Sequence, residues 1–126
     1  MQIAKLDHVN VRTNQLDSMI GWYTNVLGLR AGDRPDSSSP GAWMYAGAAA
    51  AIHLVGVQGV AGAGSELDLK LEHFAFSATG RAELETRLRA MGLQYQRIDL
   101  PPIKLVQLHL RDPDGNHVHV DFPADE

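Results

Sequence analysis

The sequence predicts an α+β fold made of two tandem βαβββ modules, curved into an incomplete barrel with its helices outside. Three observations carry this expectation. The segment His8-Val9-Asn10-Val11-Arg12-Thr13 recurs as His73-Phe74-Ala75-Phe76-Ser77-Ala78. An amphipathic stretch ending in Gly-Leu follows each copy, at Gly28-Leu29 and at Gly92-Leu93. Each half then closes with a histidine inside an apolar strand, His53 and His119, and all three pairs of landmarks are offset by 64 to 66 residues. The 126 residues are accordingly read as one domain, with module 1 at about 1–58, a linker at about 59–66 and module 2 at about 67–126. Halves of ~60 residues would each be marginal alone, so the two are expected to fold as one unit.

The elements follow in order. Val9 and Val11 alternate with His8, Asn10 and Arg12, the period-two signature of a half-buried strand. Leu16, Met19, Ile20, Tyr23, Val26 and Leu27 recur at helical spacing, with Thr13 and Asn14 as caps and Gly28 as the stop. Short strands are expected near Leu29 to Asp33, Ala42 to Ala46 and Ala50 to Val57, with the Pro- and Ser-rich stretch Pro35 to Gly41 as a loop. The Gly- and Ala-rich segment Gly56 to Ser65 reads as the connection between the halves. In the second half a strand spans Leu69 to Ser77, and Leu84, Leu88 and Met91 mark a helix, supported by Glu85 four residues before Arg89 and stopped by Gly92. Strands near Gln94 to Asp99, Leu105 to Leu110 and His117 to Phe122 complete the module. The last two are joined by Asp112-Pro113-Asp114-Gly115, a strong hairpin signal because Asp-Gly tolerates positive φ. Asp99 is read as a cap or turn residue, and Trp43 and Tyr45 as packing or cup-lining groups.

With 44% hydrophobic residues the chain can bury an ordinary core, and a net charge of −4 argues against a surface that tracks nucleic-acid phosphates. No cysteine is present, so a disulfide framework and a thiolate metal site are both excluded. Any metal must be held by nitrogen and oxygen donors. The first residues lack the apolar stretch of a signal peptide, and the longest apolar run, Ala46 to Val57, falls short of the ~20 residues of a spanning helix. A cytoplasmic protein with no membrane and no nucleic-acid partner is the expectation.

All six histidines, His8, His53, His73, His109, His117 and His119, fall in predicted strands. Alternation puts each of them opposite the apolar residues that should pack on a helix, so the imidazoles line the inner face of the cup. Imidazole is the common nitrogen donor for first-row divalent ions, and four histidines at equivalent places in a duplicated fold point to a metal site shared by the halves. On the same faces, Asn10 and Arg12 accompany His8, Gln107 accompanies His109, and Asp121 accompanies His117 and His119. Arg12 is a candidate for holding a substrate carboxylate bidentately, and His109 for an acid or base near neutral pH. Gln107 is expected to line the pocket, His117 to support a ligand or substrate, and Asp121 to accept an imidazole N–H.

Five segments carry a resemblance that spans nearly the whole chain. They are Leu6-Asp7-His8-Val9, Trp22-Tyr23-Thr24-Asn25-Val26-Leu27-Gly28-Leu29, Ala51-Ile52-His53-Leu54-Val55, Leu71-Glu72-His73-Phe74-Ala75-Phe76 and Asp112-Pro113-Asp114-Gly115-Asn116. Together they resemble the vicinal oxygen chelate superfamily of glyoxalases, bleomycin-resistance proteins, fosfomycin-resistance transferases and extradiol dioxygenases. The resemblance implies a divalent metal that chelates two neighbouring oxygens of a small, oxygen-rich substrate, with ligands at His8, His53, His73 and His119. It also implies a homodimer. His119 departs from the family's usual glutamate at that position. An all-imidazole site is one unit more positive, which disfavours magnesium and calcium and leaves zinc, nickel, iron(II), cobalt or manganese. The expected activity is that of a metal-dependent lyase, isomerase or dioxygenase. Its rival is a metal-free drug- or metabolite-binding protein of the bleomycin-resistance type.

Overall fold

The computed structural model describes residues 1–2, 4–36, 38–59 and 71–126. Apart from Gly59, the expected linker at about 59–66 lies outside the described residues, as do Leu69 and Lys70 of the strand expected from Leu69. The chain divides into two compact units, Met1–Gly62 and Ala63–Glu126. The first contains β1 (Val9–Thr13), α1 (Leu16–Asn25), β2 (Arg30–Gly32), β3 (Gly41–Ala46) and β4 (Ala49–Gly56). The second contains β5 (His73–Ser77), α2 (Arg81–Ala90), β6 (Gln96–Leu100), a 3₁₀ turn at Pro101–Ile103, β7 (Leu105–Arg111) and β8 (His117–Pro123). This is the α+β arrangement of two βαβββ modules.

The two sheets have the same topology, β1-β4-β3-β2 and β5-β8-β7-β6. In each, the first strand pairs parallel with the last, and the remaining neighbours are antiparallel. This pairing brings together residues at opposite ends of a module's sequence: Asn10 pairs with His53, and Ala75 with His119. The histidines that open and close each module are therefore neighbours by topology.

In the first unit α1 packs against β2, β3 and β4. Its apolar stripe buries Met19, Tyr23 and Val26 fully or nearly so, beside buried Met44, Ile52 and Leu54 of the sheet. In the second unit the buried apolar side chains are Leu84 and Leu88 of α2, Val106, Leu108 and Leu110 of β7, and Val118, Val120 and Phe122 of β8. Strand parity is thus obeyed where it matters: His53 lies between buried Ile52 and Leu54, and His109 between buried Leu108 and Leu110. Five histidines lie within strands, whereas His8 lies one residue before β1.

Several local expectations need correction. Neither Thr13 nor Asn14 caps α1, whose N-cap is Gln15 without a side-chain cap bond. Thr13 Oγ1 instead accepts from the Gln15 backbone N–H at 3.0 Å, and Asn14 Nδ2 donates to the Gly59 carbonyl at 2.7 Å. Both side chains satisfy the loop rather than the helix terminus. Asp99 is no turn residue. It lies in β6, where its carboxylate accepts from Arg97 Nη2 at 2.8 Å. The i,i+4 pair on α2 is Glu83–Arg87 at 2.7 Å, and Glu85 turns to Arg97 of β6 at 3.8 Å rather than to Arg89. Met91 lies just past the helix and is exposed.

The glycine stops are as expected. Gly92 has φ 65°, with Gly92 N–H donating to Arg89 O and Leu93 N–H to Leu88 O, the paired bonds of a Schellman terminus. A Cβ at Gly92 would meet nothing within 4 Å, so alanine there costs only backbone strain. Gly92→Ala is expected to lower unfolding stability by about 1 kcal/mol, read as a shifted urea midpoint with unchanged slope.

Candidate functional site

The first unit contributes His8 and His53, both on the face opposite its apolar core. Asp7 Oδ2 lies 2.8 Å from His8 Nδ1, so a neutral His8 donates from Nδ1 and presents Nε2 as its lone-pair nitrogen. The His8 ring stacks on His53 at 3.8 Å between centroids and 14° between planes. Trp43, the cross-strand partner of His53 on β3, stacks with His53 at 4.0 Å and 6°. Because β4 lies between β1 and β3, the three rings form a stack with His53 in the middle. Partial burial, and then the neighbouring His8, hold the His53 pKa below its ordinary value and favour the neutral ring a metal needs. A metal bonded to imidazole lies in the ring plane, and these planes are nearly parallel. The pair can hold one ion only after one ring rotates. Asn10 and Arg12 are exposed, at alternate positions beyond His8.

The second unit gathers every other predicted site residue. His73 and His119 have centroids 4.6 Å apart and planes at 51°, a tilt that lets two in-plane lone pairs converge. His119 is 5% exposed, and its Nδ1 lies 2.7 Å from Asp121 Oδ1. That bond fixes the tautomer with Nε2 as the lone-pair nitrogen, the carboxylate–imidazole relation that orients a metal ligand. Gln107 Nε2 donates to the same Asp121 oxygen at 3.0 Å. Gln107 Oε1 then faces His109 Nε2 at 3.1 Å, and His109 Nδ1 faces His117 Nε2 at 2.8 Å. The chain ends at Glu72: His117 Nδ1 lies 2.8 Å from Glu72 Oε1, and His73 Nδ1 contacts Glu72 Oε2.

Burial first, then the positive charges that His119, His117 and His73 can carry, lower the His109 pKa and so favour its neutral form. Hydrogen bonds from His73 and then His117 draw Glu72 down to about 2. Glu72 is the residue that sequence reasoning missed, and a signal for it existed. The duplicated histidines are each preceded by an acid, Asp7 before His8 and Glu72 before His73, and in the structure each acid contacts Nδ1 of its neighbour. Among the described residues, Glu72, His73 and His117 also bring three donor atoms within 4.8 Å of one another. All donors in both units are imidazole nitrogen or carboxylate oxygen, which fits a first-row divalent ion.

Comparison with known proteins agrees with the architecture. The family model described as Glyoxalase/Bleomycin resistance protein/Dioxygenase superfamily matches residues 5–120. The chain is 28% identical over 125 residues to the Arabidopsis thaliana protein named Glyoxylase I 4, covering 95% of this chain and 71% of that one. Among solved structures, a glyoxylase/bleomycin resistance protein/dioxygenase domain from Frankia sp. EAN1pec superposes with TM-score 0.79 at 23% identity, over 97% of this chain and 93% of that one. A putative glyoxalase family protein from Bacillus anthracis superposes with TM-score 0.78 at 20% identity, over 98% of each chain. With two βαβββ modules and a family match over residues 5–120, the chain belongs to the glyoxalase/bleomycin resistance protein/dioxygenase superfamily.

Proposed function

We propose that this protein is a metal-dependent enzyme of the glyoxalase/dioxygenase type, acting on a small substrate through two neighbouring oxygens. The residues that would hold the ion are His8, His53, His73 and His119, and the candidates are zinc, nickel, iron(II), cobalt or manganese. A bound ion of this kind supplies Lewis-acid stabilisation of oxyanion or enolate charge, or activation of O₂ beside a chelated substrate. The observation that supports this most is the pairing of His73 with a buried His119 that Asp121 holds in one tautomer.

The chain's own residues have assignable parts. His109, its neutral form favoured by burial and its neighbours, moves the proton, with Gln107 fixing the ring. Arg12 and Asn10 are exposed beside His8 and suit a substrate carboxylate or hydroxyl. His117 and Asp121 keep the polar face ordered. Among the described residues no helix is long and apolar enough to cross a membrane. A cytoplasmic homodimer is the working form we propose, checked for assembly by light scattering.

Protein purified without chelator is expected to carry a stoichiometric transition metal and to turn over α-hydroxycarbonyl or catechol compounds. Activity should vanish with EDTA and return with metal. Metal-free protein that is equally active, or a chain that takes up no transition metal, would overturn the reading. The His8–His53–Trp43 stack favours a second reading, a metal-free binder of planar drugs or metabolites of the bleomycin-resistance type. Such a protein would bind its ligand equally well with and without EDTA.

A further inference from the structure

The hydrogen-bond chain in the second unit can be followed proton by proton. Asp121 only accepts, so Gln107 gives it Nε2–H and turns Oε1 toward His109. His109 must then carry its proton on Nε2, and a neutral His109 accepts at Nδ1. The donor to that nitrogen is His117 Nε2–H at 2.8 Å. A neutral His117 therefore turns the lone pair of Nδ1 toward a Glu72 oxygen 2.8 Å away. That nitrogen then meets a carboxylate oxygen at hydrogen-bond distance, with the His73 ring against the other oxygen of the same carboxylate. A cation among these three groups resolves the conflict.

We infer that Glu72, His73 and His117 form a divalent transition-metal site within the second unit that needs no donor from the first. The three donor atoms already lie within 4.8 Å of one another, and bonds of about 2.0–2.2 Å to one ion would need only a modest approach. Two imidazoles and one carboxylate suit a first-row ion and leave positions open for substrate. The rest of the chain then has a purpose. With metal on His117 Nδ1, the Nε2–H to His109, the His109 N–H to Gln107 and the Gln107 N–H to Asp121 are all consistent, and they hold the ligand ring in place. Glu72 is half exposed and His117 mostly buried, so the site is anchored on β8 and reaches the surface at Glu72.

This inference stands apart from the four-histidine reading and shares only His73 with it. The test is titration of the full, chelator-stripped chain with Co²⁺ alone, followed by visible absorption, then displacement by Zn²⁺. The double variant Glu72→Gln/His117→Ala is expected to lose affinity by more than about a hundredfold, beyond the loss typical of a residue that only orients a ligand. The double variant His8→Ala/His53→Ala, which removes the first unit's donors, is expected still to take up one Co²⁺ through Glu72, His73 and His117. Far-UV circular dichroism of each variant without metal checks the fold. Long-range proton–nitrogen correlation in the unmodified chain gives a readout independent of folding, with Zn²⁺ moving the ring signal of His117 as well as that of His73. Full binding in the Glu72/His117 variant, loss of binding in the His8/His53 variant, or a proton as the only cation taken up there would each overturn the inference. The first of these with chelator-sensitive turnover intact leaves the proposed function standing. Metal held through Glu72 and His117 with no turnover does the reverse.

Discussion

His73→Ala is expected to remove stoichiometric transition-metal binding while leaving the fold almost untouched. The His73 side chain is 42% exposed at the first position of β5 and makes no part of the apolar core. Its loss should cost no more than about 0.5 kcal/mol, the usual range for a surface substitution. The chemical cost is of another order, because His73 lies beside both His119 and the Glu72–His117 pair, with ring centroids 4.6 and 5.2 Å from the two histidines. It belongs to either donor set, so its removal should weaken Co²⁺ binding by more than about a hundredfold and abolish metal-dependent turnover. His119→Ala makes the contrast. That ring is 5% exposed and bonded to a carboxylate, so truncation removes packing and leaves Asp121 short of a donor, with an expected loss of about 1–3 kcal/mol. Metal uptake by His73→Ala equal to that of the unmodified chain would defeat both site assignments together.

What the sequence disclosed and what it hid divide along a physical line. Alternation in β1, β4, β7 and β8 was legible because one face of each strand is apolar, and a strand's side-chain period leaves no freedom about which residues share the other. Gly28 and Gly92 were legible because a helix stop needs positive φ. Ring orientation was not legible. Parity places His8 and His53 on one face, but the χ angles that stack them flat on each other and on Trp43 arise from packing between strands distant in sequence. The caps failed for a related reason: Asn14 has the chemistry of a cap, yet the Gly59 carbonyl, far along the chain, claims its amide. The left-handed Lys104 after the 3₁₀ turn has no glycine or asparagine to announce it. Glu72 escaped notice because the strand expected from Leu69 includes it and parity there puts it on the apolar face with Phe74, whereas β5 begins only at His73 and leaves Glu72 free of that alternation. Only comparison of the two copies, acid before histidine in each, would have found it.

Asp112→Ala is expected to be the most destabilising polar substitution in the second unit. The residue is 4% exposed, and its Oδ1 accepts from the backbone N–H of Asp114 at 3.0 Å and of Asn116 at 2.9 Å. Its Oδ2 accepts from Asn116 Nδ2 at 2.9 Å. Gly115, at φ 82°, closes the turn with its N–H on the Asp112 carbonyl at 2.9 Å. Hydrogen bonds to an ionised group are worth about 1.5–3 kcal/mol each and do not add fully, so alanine should cost about 3 kcal/mol and lower Tm by roughly 10 °C. Asp112→Asn should cost about half as much. It keeps Oδ1 for the two backbone donors, but sets its own amide N–H₂ against that of Asn116. The effect reaches the site because this turn sets the pairing of β7 with β8, in which His109 faces His119 and Gln107 faces Asp121. A slip of one residue would send those side chains to the apolar face and Leu108, Val118 and Val120 to the polar one. Thermal melts of both variants, with Co²⁺ titration below the transition, check this. A drop of less than about 2 °C for Asp112→Ala would show that strand packing, not the turn, fixes the register.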